Sequence, residues 1–192
     1  MNQKNNLPDW KNLVETPLMM AVEYEQKSAQ ELVFATRNHH DLIEQRIVIL
    51  RAYDTENHTI RFYSDHRAHK IRDIKYDQRV GVLFYHHDTR VQLRFQGIAT
   101  VHHDDSVAEK AWRNLKDNSK VFYKNVPAPG SPLEGPEAYD RPLDPDQAYN
   151  NFCVVQVRIE GAQFRKLGKS GTGARARFKI SGQDISGQWI AP

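Results

Sequence analysis

Between residues 31 and 101 one pattern recurs five times: a run of six to twelve residues rich in β-branched and aromatic side chains, closed off by Asn, Asp or His. The runs are "ELVFATR" (31–37), "EQRIVILRAY" (44–53), "TIRFYS" (59–64), "RVGVLFY" (79–85) and "RVQLRFQGIATV" (90–101). Alternation with a period of two is what a half-buried strand requires, and short polar joints return each strand against the last. "NFCVVQVRIEGAQFRKLG" and "ARARFKISG" with the terminal "QWIAP" continue the pattern. The expected fold class is therefore mainly β, a barrel-like antiparallel sheet with peripheral α-helices.

Helical spacing appears in three places. Residues 9–29 carry Trp10, Leu13, Val14, Leu18, Met19, Ala21 and Val22, with Pro17 suited to a first turn capped by Thr16. "DHRAHKIRDIKY" (65–76) puts Ala68, Ile71 and Ile74 on one face, and "DDSVAEKAWRNLK" (104–116) does the same with Val107, Ala108, Ala111, Trp112 and Leu115. Ser106 followed by Glu109 reads as a capping box. Pro and Gly argue against regular structure over 125–147, and a loop of that length in a compact domain is functional or disordered.

At 192 residues and 39% hydrophobic content, one core is expected and a single domain over 1–192. The net charge of +3 is spread through the chain, which favours an anionic small ligand over nucleic acid. Cys153 is the sole cysteine, so no intrachain disulfide or multi-cysteine metal site can form, and a reducing cytoplasm fits. No apolar window approaches the length of a membrane span, so a soluble, unprocessed protein is expected.

"KLGKSGTGARARF" (166–178) invites a phosphate-loop reading but fails on spacing: Gln163 stands where the first glycine belongs, and a strand pattern follows where a helix is needed. A hairpin fits better, with Arg175, Arg177 and Lys179 on one face of its second strand and Ala174, Ala176 and Phe178 on the other. The pairs His39-His40, His86-His87 and His102-His103 sit at turns or strand ends beside Asp, without metal-ligand spacing. No nucleophile-elbow motif is present. The informative stretch is 46–97. Arg46 and Arg51 place cations on opposite faces of one run. Arg67, His69 and Lys70 cluster at a helix start, where exposed amides and fixed cations suit a phosphate, although Asp65 is placed to cap that helix and compete. Gln92, Arg94 and Gln96 form a polar strand face suited to hydrogen bonding a heterocycle.

Taken in order, R-x-V-x-L-R (Arg46 to Arg51), "FYSDHRAHK", "RVGVLF", "RVQLRFQG", "ARARF" and "QWIAP" resemble the pyridoxamine 5'-phosphate oxidase-like family of FMN-binding split barrels. "SDHRAHK" is similar to the T-D-x-R-S-x-K pattern of an oxidase-related branch described as FMN-binding. The resemblance covers about residues 30–103 and 152–192. It implies a homodimeric split β-barrel with FMN at the dimer interface. It implies Arg46 and Lys70 on the FMN phosphate, His69 in place of an oxidase arginine, and Arg67 matching the branch's arginine. Ile47, Val48, Ile49 and Leu50 would run along the isoalloxazine, with Arg51 beside the ring and Tyr63-Ser64 matching a Tyr-Thr pair. Gln92 matches the family's flavin-binding glutamine and Arg177 its arginine near the pyrimidine end. Three positions depart from the oxidases. Ala68 replaces a phosphate-binding serine, Leu167 a tryptophan that packs on FMN, and Gly173-Ala174-Arg175 the arginine, any residue, histidine triplet that grips the pyridoxal substrate.

The expected function is accordingly that of an FMN-dependent oxidoreductase using a small-molecule substrate or electron donor. Arg51 and Arg175 are the candidate substrate contacts, and no side chain stands out as a general acid or base. A non-catalytic flavin store or sensor shares every cofactor residue with that reading. A nucleic-acid binder has little behind it, because the arginines interleave with apolar strand positions.

Overall fold

The structure, a computed structural model, describes residues 7–23, 30–139, 145–168 and 173–192. The strands are β1 (Glu31–Arg37), β2 (Ile43–Ile49), β3 (Ala52–Asp54), β4 (Thr59–Asp65), β5 (Arg79–His86), β6 (Val91–His102), β7 (Phe152–Leu167), β8 (Gly173–Ser181) and β9 (Asp184–Trp189). They form one sheet in the order β2-β1-β5-β6-β7-β4-β3, with β8 beside β7 and β9 beside β8. Every pairing is antiparallel.

The run expected as one strand over 44–53 is two. β2 ends at Ile49 against β1, and β3 starts at Ala52 against β4. Between them Leu50 donates its N–H to the Gln30 carbonyl (2.7 Å) and Arg51 to that of Arg61 (2.8 Å). One strand cannot serve both ends of the sheet path, so the chain breaks its pairing and changes partner. This handover curls the sheet into a split barrel, with the wholly buried Leu50 plugging the seam. β7 runs along β6 on one side, while its other side meets β4 over Phe152–Arg158 and β8 over Gly161–Leu167. The β6–β7 register slips between Gln96 and Gly97, where a side chain on Gly97 would run into the Arg158 carbonyl.

Inward positions fill the core with Leu32, Phe34, Ile60, Phe62, Phe84 and Leu93, and Phe34 meets Phe62 edge-on at 4.8 Å. The N-terminal helical segment adds Trp10, Val14, Leu18 and Ala21. A π-helical turn, Lys11–Glu15, runs straight into α1 (Thr16–Glu23). Thr16 is therefore not a cap: it is helical (φ −56°, ψ −49°) and donates its N–H to the Lys11 carbonyl. Pro17 follows it, and the widened turn accommodates a ring that would otherwise press on the preceding turn's carbonyl. Residues 24–29 of the expected helical segment lie outside the described residues.

α2 (His69–Tyr76) buries Ile71 and Ile74 behind Ala68, as its spacing predicts. α3 (Ser106–Arg113) is capped by Asp105, whose carboxylate accepts from the Val107 and Ala108 N–H groups; the predicted cap, Ser106, is the first helical residue. α4 (Asp117–Lys120) follows. Trp112 of α3 packs with Tyr123 and Tyr149 on Phe152, a second aromatic cluster outside the barrel. The described parts of the 125–147 loop are less irregular than expected, with 3-10 turns at Pro136–Tyr139 and Pro145–Asn151, each opened by the proline a first turn tolerates, while 140–144 lie outside the described residues. The 169–172 connection of the expected hairpin lies outside the described residues. No described helix is long and apolar enough to cross a membrane.

Candidate functional site

β2 and β4 part where the handover ends. Past Arg61, the edge of β4 that faces β2 carries no strand, and β2 is paired only with β1 among the described residues. These two edges without a partner strand among the described residues, Arg46 to Leu50 and Phe62 to Ser64, bound a seam, here called the mouth. Unpaired N–H and C=O groups along such edges suit a planar heterocycle.

Arg46 sits at the inner end of this mouth. It pairs with Phe34, so its side chain shares the inward face, with its guanidinium carbon 6.0 Å from the Phe34 ring centre. One nitrogen donates to Thr36 Oγ1 at 2.6 Å and another reaches Asp73 Oδ2 at 3.5 Å, while the Thr36 hydroxyl donates to that same carboxylate oxygen at 2.7 Å. Thr36 and Asp73 are buried. Burial holds the Arg46 proton affinity below its usual level, against the pull of Asp73.

Lys70, from the first turn of α2, donates Nζ to Ser64 Oγ at 3.1 Å. Among the described residues no carboxylate pairs with it. Burial lowers its pKa, and the nearby Arg46 charge adds to the effect. Arg46 thus meets the Asp73 carboxylate, and Lys70 adds a second half-buried cation that no described carboxylate pairs with. A phosphate monoester fits a guanidinium beside an ammonium; the Ser64 hydroxyl, which donates to the Asp65 carbonyl at 3.2 Å, anchors the Lys70 end. Beneath it the buried Cys153 thiol points at the Ser64 carbonyl (3.3 Å), and burial pushes its pKa up to about 12.

The remaining expected phosphate residues face elsewhere. Asp65 does not cap α2. It accepts from the Arg67 N–H and clamps the Arg67 guanidinium through both oxygens, at 3.0 and 2.7 Å. Arg67 in turn donates to the carbonyls of Asn125 (3.0 Å) and Val126 (2.9 Å). The His69 ring lies under Gly130. Ala68, where a serine would add a hydroxyl, precedes α2 with no side-chain cap.

Along the β2 edge, Val48 and Leu50 point into the core while Ile47 and Ile49 point outward, Ile47 being 62% exposed. Arg51 is exposed and stands 5.9 Å from the Tyr63 ring centre, a cation over an aromatic face at the outer end of the mouth. Gln92 and Arg177 are on the other side of the sheet. Register carries the outward face from Ala35 to Gly81, Gln96 and Gly161, with Leu83, Gln92, Gln163 and Arg177 on the same side. There a concavity of about 800 Å³ is lined by Gln92, Gln96, Gln163 and Arg177 among others. This hollow contains neither Arg46 nor Lys70. Arg175, on the same face as Arg177, donates to Gln163 Oε1 at 2.8 Å. Leu167 closes β7 with its N–H on the Arg90 carbonyl. The paired histidines lie at turns and strand ends, and His103 stacks on His66 at 4.1 Å.

Thr36 and Asp73, which hold Arg46, were not singled out by the sequence reading. Their signal was present: each is a polar residue at an inward position, Thr36 following Leu32 and Phe34, and Asp73 lying between Ile71 and Ile74. Tyr123, held through its carbonyl by Asn151 Nδ2 at 2.8 Å, was also missed. Its segment carried no strand or helix pattern.

Comparison with known proteins decides the lineage. Residues 7–103 match the family model described as "Pyridoxamine 5'-phosphate oxidase, FMN-binding domain". The chain belongs to this family. FMN is the cofactor of the family's domain, and the mouth between β2 and β4 has the cations to receive it. A curated family relative, pyridoxine/pyridoxamine 5'-phosphate oxidase 2 of Arabidopsis thaliana, is 25% identical over 131 residues, 64% of this chain and 66% of the relative, so the chain spans just under two thirds of that protein's length. Two solved structures share the fold. A pyridoxamine 5'-phosphate oxidase-related, FMN-binding protein of Nostoc punctiforme has a TM-score of 0.78 at 21% identity, covering 97% of this chain and 99% of that one. PhzG of Burkholderia lata, solved with tetrahydrophenazine-1-carboxylic acid, has a TM-score of 0.76 at 16% identity, covering 98% and 95%.

Proposed function

We propose that the chain, as one domain over residues 1–192, is an FMN-dependent oxidoreductase working as a cytoplasmic homodimer on a small molecule rather than on nucleic acid or membrane. The observation that carries the cofactor site is Lys70: a half-buried ammonium with a hydroxyl partner and no described carboxylate, beside Arg46. Arg46, Lys70 and Ser64 hold the phosphate, and Ile47, Val48, Ile49 and Leu50 offer backbone groups and packing along the ring. Tyr63 backs Arg51 at the outer end, where Arg51 attracts an anionic substrate or polarises the ring. Gln92 and Arg177 lie on the opposite sheet face from Arg46, so they serve a flavin held by a second copy, Arg177 balancing the charge that grows at the pyrimidine end on reduction. Bound flavin supplies the two-electron chemistry; the chain binds, orients and electrostatically tunes it.

A flavin carrier or sensor is the second reading. It draws on Arg175, whose guanidinium is tied to Gln163 at the place where an oxidase grips its substrate. One purified sample tests both. The visible spectrum should show bound flavin, or acquire a shifted flavin band on adding FMN, and a reduced nicotinamide should bleach it. An unaltered FMN spectrum and fluorescence would defeat the cofactor site; bound flavin that no donor or acceptor turns over would favour the carrier.

A further inference from the structure

Four connections of the chain meet at one pair of rings. His66, in the turn between β4 and α2, stacks on His103, just past the end of β6, with ring centres 4.1 Å apart and planes 24° apart. The His66 N–H donates to the Asn151 carbonyl at 2.8 Å, and His103 Nε2 lies 3.0 Å from the Asn150 carbonyl, so both residues hold the 145–151 turn. Asn151 is itself buried and extends the hold to a fourth turn, its Nδ2 donating to the Tyr123 carbonyl at 2.8 Å. The Nδ1 atom of His66 is buried and has no hydrogen-bond partner among the described residues. From its own turn the ring faces Asp65 and Arg67, which are paired with each other at 2.7 Å. Beside His103, His102 is paired with Asp105 at 2.8 Å, and Asp104 makes the turn (φ +56°).

A neutral pair tolerates this arrangement and a charged one does not. An imidazolium at His66 is a donor at both nitrogens, yet the nearby Asn151 carbonyl already accepts the His66 backbone N–H, and a second ring lies 4.1 Å away. Burial first, and His103 second, hold the His66 pKa below its ordinary value; Asp65 and the Asn151 carbonyl oppose them, and Arg67 adds to them. The folded chain therefore binds fewer protons here than the unfolded one. Stability from the pair is full above the ordinary histidine value of about 6.5 and is lost as pH falls toward the depressed one. We infer that the His66–His103 stack is an acid-released clasp: uptake of one proton by the His66 ring parts the two rings and frees the β4–α2 turn from the 145–151 turn. Ser64 and Lys70 flank the freed turn, so the Lys70 end of the mouth loosens with it. That last consequence, unlike the clasp itself, rests on the phosphate reading of Arg46 and Lys70.

The test is hydrogen exchange of the FMN-free full chain between about pH 7.5 and 5, read by mass spectrometry and corrected for the intrinsic pH dependence of exchange. In the wild type the His66 amide and the 145–151 turn should together lose about tenfold or more of their protection below about pH 6, with β5 and β6 unchanged. His66→Phe keeps a ring to stack and the backbone amide but has no proton to take up, and its protection should vary less than about threefold over the same range. Proton NMR of the wild type should show the His66 ring titrating below the ordinary histidine value, in step with that loss. FMN affinity, read by flavin fluorescence, should fall more steeply in acid for the wild type than for His66→Phe, since the titration of the FMN phosphate itself is common to both. Identical exchange profiles for the wild type and the folded variant would overturn the clasp, as would a His66 ring that titrates at or above the ordinary value. Equal acid weakening of FMN in both forms would overturn the link to the mouth. A wild type that binds no FMN at any pH would overturn the phosphate reading and that link with it, while exchange, read without cofactor, still decides the clasp.

Discussion

Charged Lys70 costs the fold stability. Burial first, and the Arg46 charge second, hold its pKa below the ordinary lysine range. A cation whose pKa is lower folded than unfolded binds fewer protons in the folded chain. Stability therefore rises with pH between the depressed value and the ordinary one, and at neutral pH charged Lys70 is a net cost. Lys70→Met should raise the thermal midpoint of the FMN-free protein by about 2–4 °C while weakening FMN about tenfold or more and leaving riboflavin nearly unchanged. FMN binding to the wild type should fall as pH rises through the depressed lysine pKa, and Lys70→Arg should carry that decline to higher pH. Calorimetry and fluorescence titration check these; equal losses for FMN and riboflavin would show that no phosphate is held there. Arg46 and Lys70 were legible in the sequence because cations interrupt apolar alternation or crowd a helix start. Thr36 and Asp73 were not, since a short polar side chain in an inward position announces burial without naming its partner.

Elements were more legible than their ends. The runs for β1, β5 and β6 stand within a residue of their observed limits, because inward residues such as Leu32, Phe34, Val82, Phe84, Leu93 and Phe95 enforce the period. The break between β2 and β3 left no trace, since Val48, Leu50 and the outward Arg51 continue the same alternation through it. What ends β2 is the competition between β1 and β4 for one chain segment, a fact of topology. The start of α3 was misplaced by one residue for a local reason. Asp105 and Ser106 are both good caps, and Asp105 has the reach to take two N–H groups and a ring nitrogen of His102 at 2.8 Å. Asp105→Ala should cost about 1–2 kcal/mol in denaturant unfolding, against a few tenths for Ser106→Ala. The reverse order would restore Ser106 as the cap.

At the scale of the molecule, the sheet divides the candidate residues between its two faces. Arg46, Ser64 and Lys70 gather at the mouth, whereas Gln92, Arg175 and Arg177 look out from the far side over a concavity of about 800 Å³. No sequence pattern in one chain could reveal that division, because alternation says which residues share a strand face but not which strands meet across the molecule. If both groups serve one flavin, two chains are required, and the outward face is where they join. Leu83 lies on that face opposite Val33 and Arg94. Leu83→Arg sets a second cation beside Arg94 and removes an apolar contact, while the core-facing neighbours Val82 and Phe84 are untouched. Sedimentation should show a dimer for the wild type and a folded monomer for the variant. In the monomer FMN should bind about tenfold or more weakly, because Gln92 and Arg177 no longer reach the ring, yet FMN should still be preferred over riboflavin through Arg46 and Lys70. A monomer that keeps full FMN affinity would place the whole site within one chain and leave the outward face without a part in holding the cofactor.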